Sequence, residues 1–323
     1  MDRKKIVVLG TGGTIAGTAA SASDHLGYTA AQLGVVQLVA AVPALAAGPW
    51  ELLTEQLAQV DSKDMDFDIW ARLVRRVSHH LAQADVQGMV ITHGTDTLEE
   101  TAWFLQALLG PDKPVVLTCA MRPATALAPD GPQNLLDAVA VASHPGACGV
   151  LAVCAGVVHG AREVQKVHTY RLDAFSSGDA GPLAYVENGG LRLLRNWPAA
   201  PAGQAQTAMK NIANLGEKRR WPRVDIVLSH AGADGAVVRA LVADGVRGLV
   251  VAGTGNGSLH HALESALLQA QAAGVKVVRA TRCLEGRVLS SPDDALADSQ
   301  GLSPVKARIS LLLELLAASD APA

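Results

Sequence analysis

Ile6-Val7-Val8-Leu9-Gly10-Thr11-Gly12-Gly13-Thr14 is the stretch whose reading decides the fold. Four β-favouring apolar residues run without polar alternation, the mark of a strand buried on both faces, as in a parallel sheet covered by helices. Glycines and hydroxyls follow at once, so the strand ends in a tight turn. The run is too short for the apolar part of a secretion signal and ends in glycines rather than a cleavage site. A cytoplasmic location is expected, a periplasmic one staying open if a signal has been removed.

Outward from this strand, short apolar runs recur at Gly88–Thr92, Pro114–Thr118 and Gly149–Val153. Between them, 31–41 and 65–81 carry apolar residues near the helical period, and 98–109 follows a Thr-Asp-Thr start that suits a helix cap. Strand and helix alternate, which is the βαβ signature. Around 196–222 the pattern dissolves into Pro, Ala, Gly and Gln with a basic cluster Lys218-Arg219-Arg220, read as a surface linker. Runs at 224–229, 248–252 and 275–280 then repeat the alternation, with 302–317 as a closing helix. The expected architecture is α/β with two domains: a larger N-terminal one at 1–195 with a mostly parallel sheet, the linker, and a smaller α/β domain at 223–323.

The chain has 323 residues, 49% of them hydrophobic, 18% charged and 3% aromatic. Apolar surface is ample for two cores filled mainly by Val, Leu, Ile and Ala. A formal charge of -3 gives no electrostatic reason to expect nucleic acid or an anionic membrane. No apolar run approaches the ~20 residues of a membrane helix. A small molecule is the expected partner. Cys119, Cys148, Cys154 and Cys283 lack CxxC spacing and are expected to be buried reduced thiols, with no metal.

In open parallel sheets ligands bind beyond the carboxyl ends of the strands, so the residues just after each strand carry the functional reading. Gly10-Thr11-Gly12-Gly13-Thr14 fits neither GxGxxG nor GxxxxGK[ST]. Three readings stand beside each other: a structural turn, a hydroxyl nucleophile at Thr14, and a phosphate cradle. Thr92-His93-Gly94-Thr95-Asp96-Thr97 puts hydroxyls, a histidine and an acid at a strand-to-helix turn, where backbone N–H groups can hold an oxyanion. The bland alternative is that Asp96 or Thr97 only caps the next helix, and that His93 is a packed residue. Lys166, in a polar stretch at 157–169, reads as solvated surface unless it lies against Thr95 and Asp96, where it can take a hydroxyl proton. Ser62 reads as the N-cap of the helix that follows it.

Taken together, Thr11-Gly12-Gly13-Thr14-Ile15-Ala16-Gly17, His93-Gly94-Thr95-Asp96-Thr97-Leu98-Glu99-Glu100-Thr101, Ala120-Met121-Arg122-Pro123 and Gly255-Asn256-Gly257, in this order, closely resemble the bacterial L-asparaginase family, which includes glutaminase-asparaginases. Asp130-Gly131-Pro132 with Asn134-Leu135 fits the same pattern. The resemblance implies a threonine amidohydrolase acting on L-asparagine, with L-glutamine as a further substrate and no metal or organic cofactor. It implies Thr14 as nucleophile, Tyr28 as the loop tyrosine that polarises it, and Thr95, Asp96 and Lys166 as a second group that moves protons and holds the oxyanion. Ser62 and Asp96 are implied to hold the substrate's α-carboxylate and α-amino ends, the Ala120 carbonyl to accept from the leaving amide, and Asn256 to reach a neighbour's site in a homotetramer, a dimer of dimers.

The sequence also departs from the family pattern. Where many relatives carry Gln after the serine, Lys63 brings an ammonium that is expected to favour the substrate carboxylate and oppose its α-amino group. The acidic residue that relatives supply from the neighbouring subunit has only Glu285, Asp293 and Asp294 as candidates. The competing functions are an amino-acid-binding relative without turnover and, more remotely, a nucleotide-binding protein using the glycine loop.

Overall fold

The computed structural model describes residues 3–198 and 221–318. Residues 199–220, most of the expected linker, lie outside them. The chain forms two compact units, Met1–Gly203 and Gln204–Ala323.

In the first unit the elements run β1 (Lys5–Gly12), α1 (Val35–Ala40), α2 (Pro43–Ala46), β2 (Glu51–Val60), α3 (Phe67–Leu81), β3 (Val86–Thr92), α4 (Leu98–Leu109), β4 (Val115–Thr118), α5 (Gly131–Ser143), β5 (Val150–Cys154), β6 (Val157–Gly160), β7 (Gln165–Lys166), β8 (Phe175–Ser176), β9 (Ala184–Glu187) and β10 (Gly190–Leu193). The main sheet has the order β10-β9-β6-β5-β4-β3-β1-β2. β5, β4, β3, β1 and β2 are parallel, while β6, β9 and β10 run antiparallel at one edge. Mixed α/β with a mostly parallel main sheet is therefore the observed architecture.

β1 lies between β2 and β3, so its apolar residues are buried on both faces. Ile6 and Val8 pack with Val35, Leu38 and Leu45 of α1 and α2 and with Leu135, Ala138 and Val141 of α5. Val7 and Leu9, alternate along the strand, point to the other face, which α3 and α4 cover. There Trp70 of α3 stacks on Phe104 of α4 at 4.5 Å between ring centroids. Each such side chain fully removed from water contributes about 1.5–3 kcal/mol before entropy is counted.

Several elements of this unit, β2, α5 and the short strands β6 to β10 among them, have no counterpart in the expected strand and helix runs. β2 alternates exposed and half-buried positions, because it is an edge strand, and so lacks an apolar run. The stretch at 157–169, expected to be simply polar, holds β6 and β7; Ala155 and Gly156, both at positive φ (51° and 75°), turn the chain from β5 into antiparallel β6.

β2 is tied to α3 by Glu55, whose two oxygens meet Arg76 at 2.6 and 2.7 Å while the buried His80 reaches Oε2 at 2.9 Å. The Arg76 guanidinium, ahead of His80, holds the Glu55 carboxyl below its ordinary value of 4.5. A depressed acid contributes stability above its unfolded value and loses it as pH falls through the folded one. Arg76 is partly exposed and screened, so Glu55→Gln should cost about 0.5–1 kcal/mol at neutral pH. In parallel melts the parent's advantage should vanish as pH drops below 4.5; an advantage that grows in acid would refute the assignment.

In the second unit β11 (Val224–Leu228), α6 (Ala236–Ala243), β12 (Gly248–Gly253), α7 (His261–Ala272), β13 (Lys276–Thr281), β14 (Ala297–Asp298) and α8 (Pro304–Ala318) form a four-stranded parallel sheet in sequential order. Val238 of α6 and Leu263 and Leu267 of α7 close its core over Val227, Leu249, Val251 and Val277. Among the described residues no helix is long and apolar enough to cross a membrane. All four cysteines are free, but only Cys119 and Cys154 are buried; Cys148 is half-buried and Cys283 exposed, against the expectation of four buried thiols.

Candidate active site

In the parallel part of the first sheet β2 and β3 flank β1, so the strand order reverses at β1 and a crevice opens beyond the carboxyl ends of β1 and β3. Three loops converge there. Gly13 has φ 85°, and a Cβ on it would stand 2.4 Å from Gly94 Cα. A Cβ on Gly94 would in turn meet Ser62 Oγ at 2.4 Å. Only glycine lets the turns after β1 and β3 touch, and that contact brings Thr14, Thr95 and Ser62 to one place.

Thr14 opens a short 3-10 helix, Thr14–Ala16, and is buried. Its Oγ1 lies 2.7 Å from the Tyr28 hydroxyl. Tyr28 is held by a loop closed by paired backbone bonds between Thr18 and Thr29, 2.9 Å each way. Inside the loop Asp24 accepts from the Leu26 and Gly27 N–H groups at 2.9 and 2.7 Å, and these amides, Gly27 first, hold its carboxyl below the usual range.

Across the crevice, Lys166 Nζ donates to Thr95 Oγ1 at 2.8 Å and to Asp96 Oδ1 at 2.6 Å. Lys166 thus lies half-buried against Thr95 and Asp96 rather than free on the surface. Glu99 fixes the backbone beneath it, accepting the Lys166 N–H at 3.0 Å, a role absent from the sequence reading because the two residues are far apart in the chain. Ser62 is buried and accepts from the Asp96 N–H at 3.1 Å. It does not cap α3: Asp66 does, accepting from Ile69 N–H at 2.7 Å. The expected capping by Asp96 or Thr97 is also absent, since no side-chain bond caps α4; the Thr97 hydroxyl donates to the Ser62 carbonyl at 2.7 Å instead.

His93 is fully buried, and burial pushes its pKa down to about 4. The Gly94 carbonyl facing Nδ1 can only accept, so in the neutral ring Nε2 is the acceptor and takes the Thr101 hydroxyl hydrogen at 2.9 Å, while Trp70 Nε1–H donates to Thr101 Oγ1 at 3.0 Å. His93 therefore carries its proton on Nδ1 and donates it to the Gly94 carbonyl at 2.8 Å. In a trans peptide the C=O and the following N–H point oppositely, so this bond turns the Thr95 N–H away from His93. With both nitrogens committed, His93 is a packed residue. His93→Gln should lower kcat only several-fold, against the ~10²–10⁴-fold loss of a general base; a loss of the larger size in a folded variant would contradict this.

Lys63 turns its ammonium onto Asp61 at 2.7 Å, and Asp61 raises its proton affinity. The ammonium is therefore paired within its own turn. In the second unit Asn256 Nδ2 donates to the Leu289 carbonyl at 3.2 Å and Oδ1 accepts the Leu289 N–H at 2.7 Å. Asn256 thus holds the loop after β13, leaving one hydrogen and one lone pair for another partner. Of the acidic candidates, Asp294 is committed to Arg279 at 2.5 Å and to the Ser291 N–H.

Two hydroxyl centres in one crevice, each with its own polar partner, suit nucleophilic attack on a carbonyl carbon. Residues 5–199 match the family described as asparaginase, N-terminal, and 223–323 match the glutaminase/asparaginase C-terminal domain. The chain belongs to the asparaginase family. It is 39% identical to L-asparaginase 2 of Bacillus subtilis, covering 99% of this chain and 84% of that protein. It is 36% identical to the glutaminase-asparaginase of Pseudomonas fluorescens, covering 98% and 87%. The crystal structure of the probable cytoplasmic L-asparaginase from Campylobacter jejuni superposes with a TM-score of 0.88 at 38% identity, over 97% of this chain and 95% of that one. The asparaginase fold is thus shared throughout the comparison.

Proposed function

We propose that the chain hydrolyses the side-chain amide of L-asparagine to L-aspartate and ammonia through an acyl-enzyme on Thr14, with L-glutamine as a slower substrate. The observation that carries this reading is the Thr14–Tyr28 hydroxyl pair at 2.7 Å, in the crevice of an asparaginase-family chain where Gly13 packs on Gly94. Tyr28 polarises the Thr14 hydroxyl, whose oxygen attacks the amide carbon. The Thr95 N–H, which has no partner among the described residues, is available for the oxyanion. Lys166, bonded to Thr95 Oγ1, is placed to relay a proton, and Asp96 orients it. Ammonia leaves, and water hydrolyses the ester.

At the substrate head, Ser62 Oγ is an acceptor from Asp96 N–H, so its own hydrogen is left for an α-carboxylate. Asp96 spends Oδ1 on Lys166 and keeps Oδ2 for an α-ammonium. The Ala120 carbonyl accepts from the leaving amide. One methylene separates asparagine from glutamine, worth about 1–3 kcal/mol of discrimination.

The working unit is read as a homotetramer in which Asn256 serves a neighbour's site; Leu284 and Leu289, exposed beside it, support a covered surface there. Residues 1–195 and 223–323 are read as its two domains, joined through 196–222. Free cysteines and the printed name of the Campylobacter jejuni structure favour a cytoplasmic location, against the periplasmic one in the name of a Haemophilus influenzae relative. Ammonia release from L-asparagine and L-glutamine, measured side by side, tests the activity: faster release from asparagine is expected, and none from either amide sinks it.

A further inference from the structure

Asp130 stands at the N-cap position of α5, yet no side-chain bond from it caps that helix. Its carboxylate is spent on the loop after β4. Oδ2 accepts the Met121 N–H at 2.9 Å and Oδ1 the Arg122 N–H at 3.0 Å. Asn134, one turn along α5, donates Nδ2 to Asp130 Oδ2 at 3.2 Å and to the Cys119 carbonyl at 2.9 Å, while its Oδ1 accepts the Ala155 N–H at 2.9 Å. The carbonyl before Ala120 and the two amides after it are therefore all occupied. The Ala120 carbonyl between them accepts no hydrogen bond among the described residues.

Ala120 C=O and Met121 N–H share one planar trans peptide and point in opposite directions. A carboxylate that captures the Met121 N–H thereby aims the Ala120 carbonyl away from itself. Ala120 and Ile15 both close on Gly131, where a Cβ would stand 3.4 Å from Ala120 Cβ and 2.8 Å from Ile15 Cγ1, and Ile15 adjoins Thr14. Ala120 thus stands beside the residue that follows Thr14, at the edge of the crevice.

We propose that Asp130 is a positioning residue for acylation: by holding the Ala120–Met121 peptide it turns the Ala120 carbonyl onto the N–H of the leaving amide. This rests on the reading of Ala120 as that acceptor. In acylation the Thr14 Oγ–carbon bond forms, the carbon–nitrogen bond breaks, and the nitrogen departs as ammonia with the proton given up by the hydroxyl. A carbonyl accepting one N–H turns the nitrogen lone pair towards that proton. A carboxylate can serve all three donors, whereas the amide in Asp130→Asn presents its own N–H to one of them and tips the peptide.

The test is the leaving group. L-Aspartate β-methyl ester is attacked by the same Thr14 hydroxyl and expels methanol, which takes the hydroxyl proton; its leaving oxygen carries no N–H for Ala120 to accept. The kcat/KM of Asp130→Asn should fall about 10²-fold on L-asparagine and less than about 3-fold on the ester. A parallel fall on both substrates, as a merely disordered site would give, overturns the proposal, and so does no fall on either. If Asp130→Asn does not fold, Asp130→Glu, which keeps the charge and displaces it, is read by the same ratio. Thr14→Ala separates the two readings: turnover surviving in it removes the Thr14 assignment itself, whatever the Asp130 ratio.

Discussion

Thr14→Ala should fold as the parent does and release ammonia from L-asparagine at least about 10⁴-fold more slowly, the scale on which loss of a nucleophile acts in hydrolases that work through an acyl-enzyme. The hydroxyl sits just beyond the end of β1, and its hydrogen-bond partner is Tyr28 at 2.7 Å. Melting should shift little, and L-aspartate should still bind, because Ser62 and Asp96 are untouched. Thr14→Ser keeps the oxygen and loses a methyl group, so it should retain far more activity than the alanine variant. If the alanine variant keeps a tenth of the parent rate, Thr14 does not carry the chemistry. Binding retained without turnover in the parent would favour the amino-acid-binding alternative.

The second large effect is expected at Lys166. Lys166→Met removes the partner of Thr95 Oγ1 at 2.8 Å and of Asp96 Oδ1 at 2.6 Å. About half of the Asp96 side chain is in contact with solvent, so the carboxylate left behind is hydrated and stability should fall by less than about 1 kcal/mol. The kcat should nevertheless fall about 10²–10⁴-fold, the range of a positioned proton carrier. Thr95→Val should cost a similar factor, and the double variant little more than either single one, since the two groups act as a unit. Losses that multiply in the double variant would show that Lys166 and Thr95 act separately.

Much of the site is legible in the sequence because it lies just after strands that are themselves plain. β1, β3, β4 and β5 are buried on both faces and read as continuous apolar runs, and the glycines and hydroxyls beyond β1 and β3 stand out against them. Gly13 and Gly94 signal a tight turn locally, but only the fold shows that they touch each other. Ser62 reads as a cap because a helix follows it; its partner, the Asp96 N–H, comes from the turn after β3, and Asp66 takes the cap. Lys166 reaches Thr95 through the antiparallel excursion of β6 and β7, whose short strands carry too few residues to show a period. β2 was hidden for a related reason, since an edge strand keeps polar residues on its open side. The resemblance supplied roles for Tyr28, Ala120 and Asn256 that no local pattern carries.

The most direct test of the account is to quench the enzyme rapidly in acid during turnover of L-aspartate β-methyl ester, whose better leaving group makes hydrolysis of the acyl-enzyme the slower step, and to map the modified peptide by mass spectrometry. A β-aspartyl ester on Thr14, absent from Thr14→Ala, is the predicted result. An adduct on Thr95, or steady turnover with no adduct on either threonine, would contradict it.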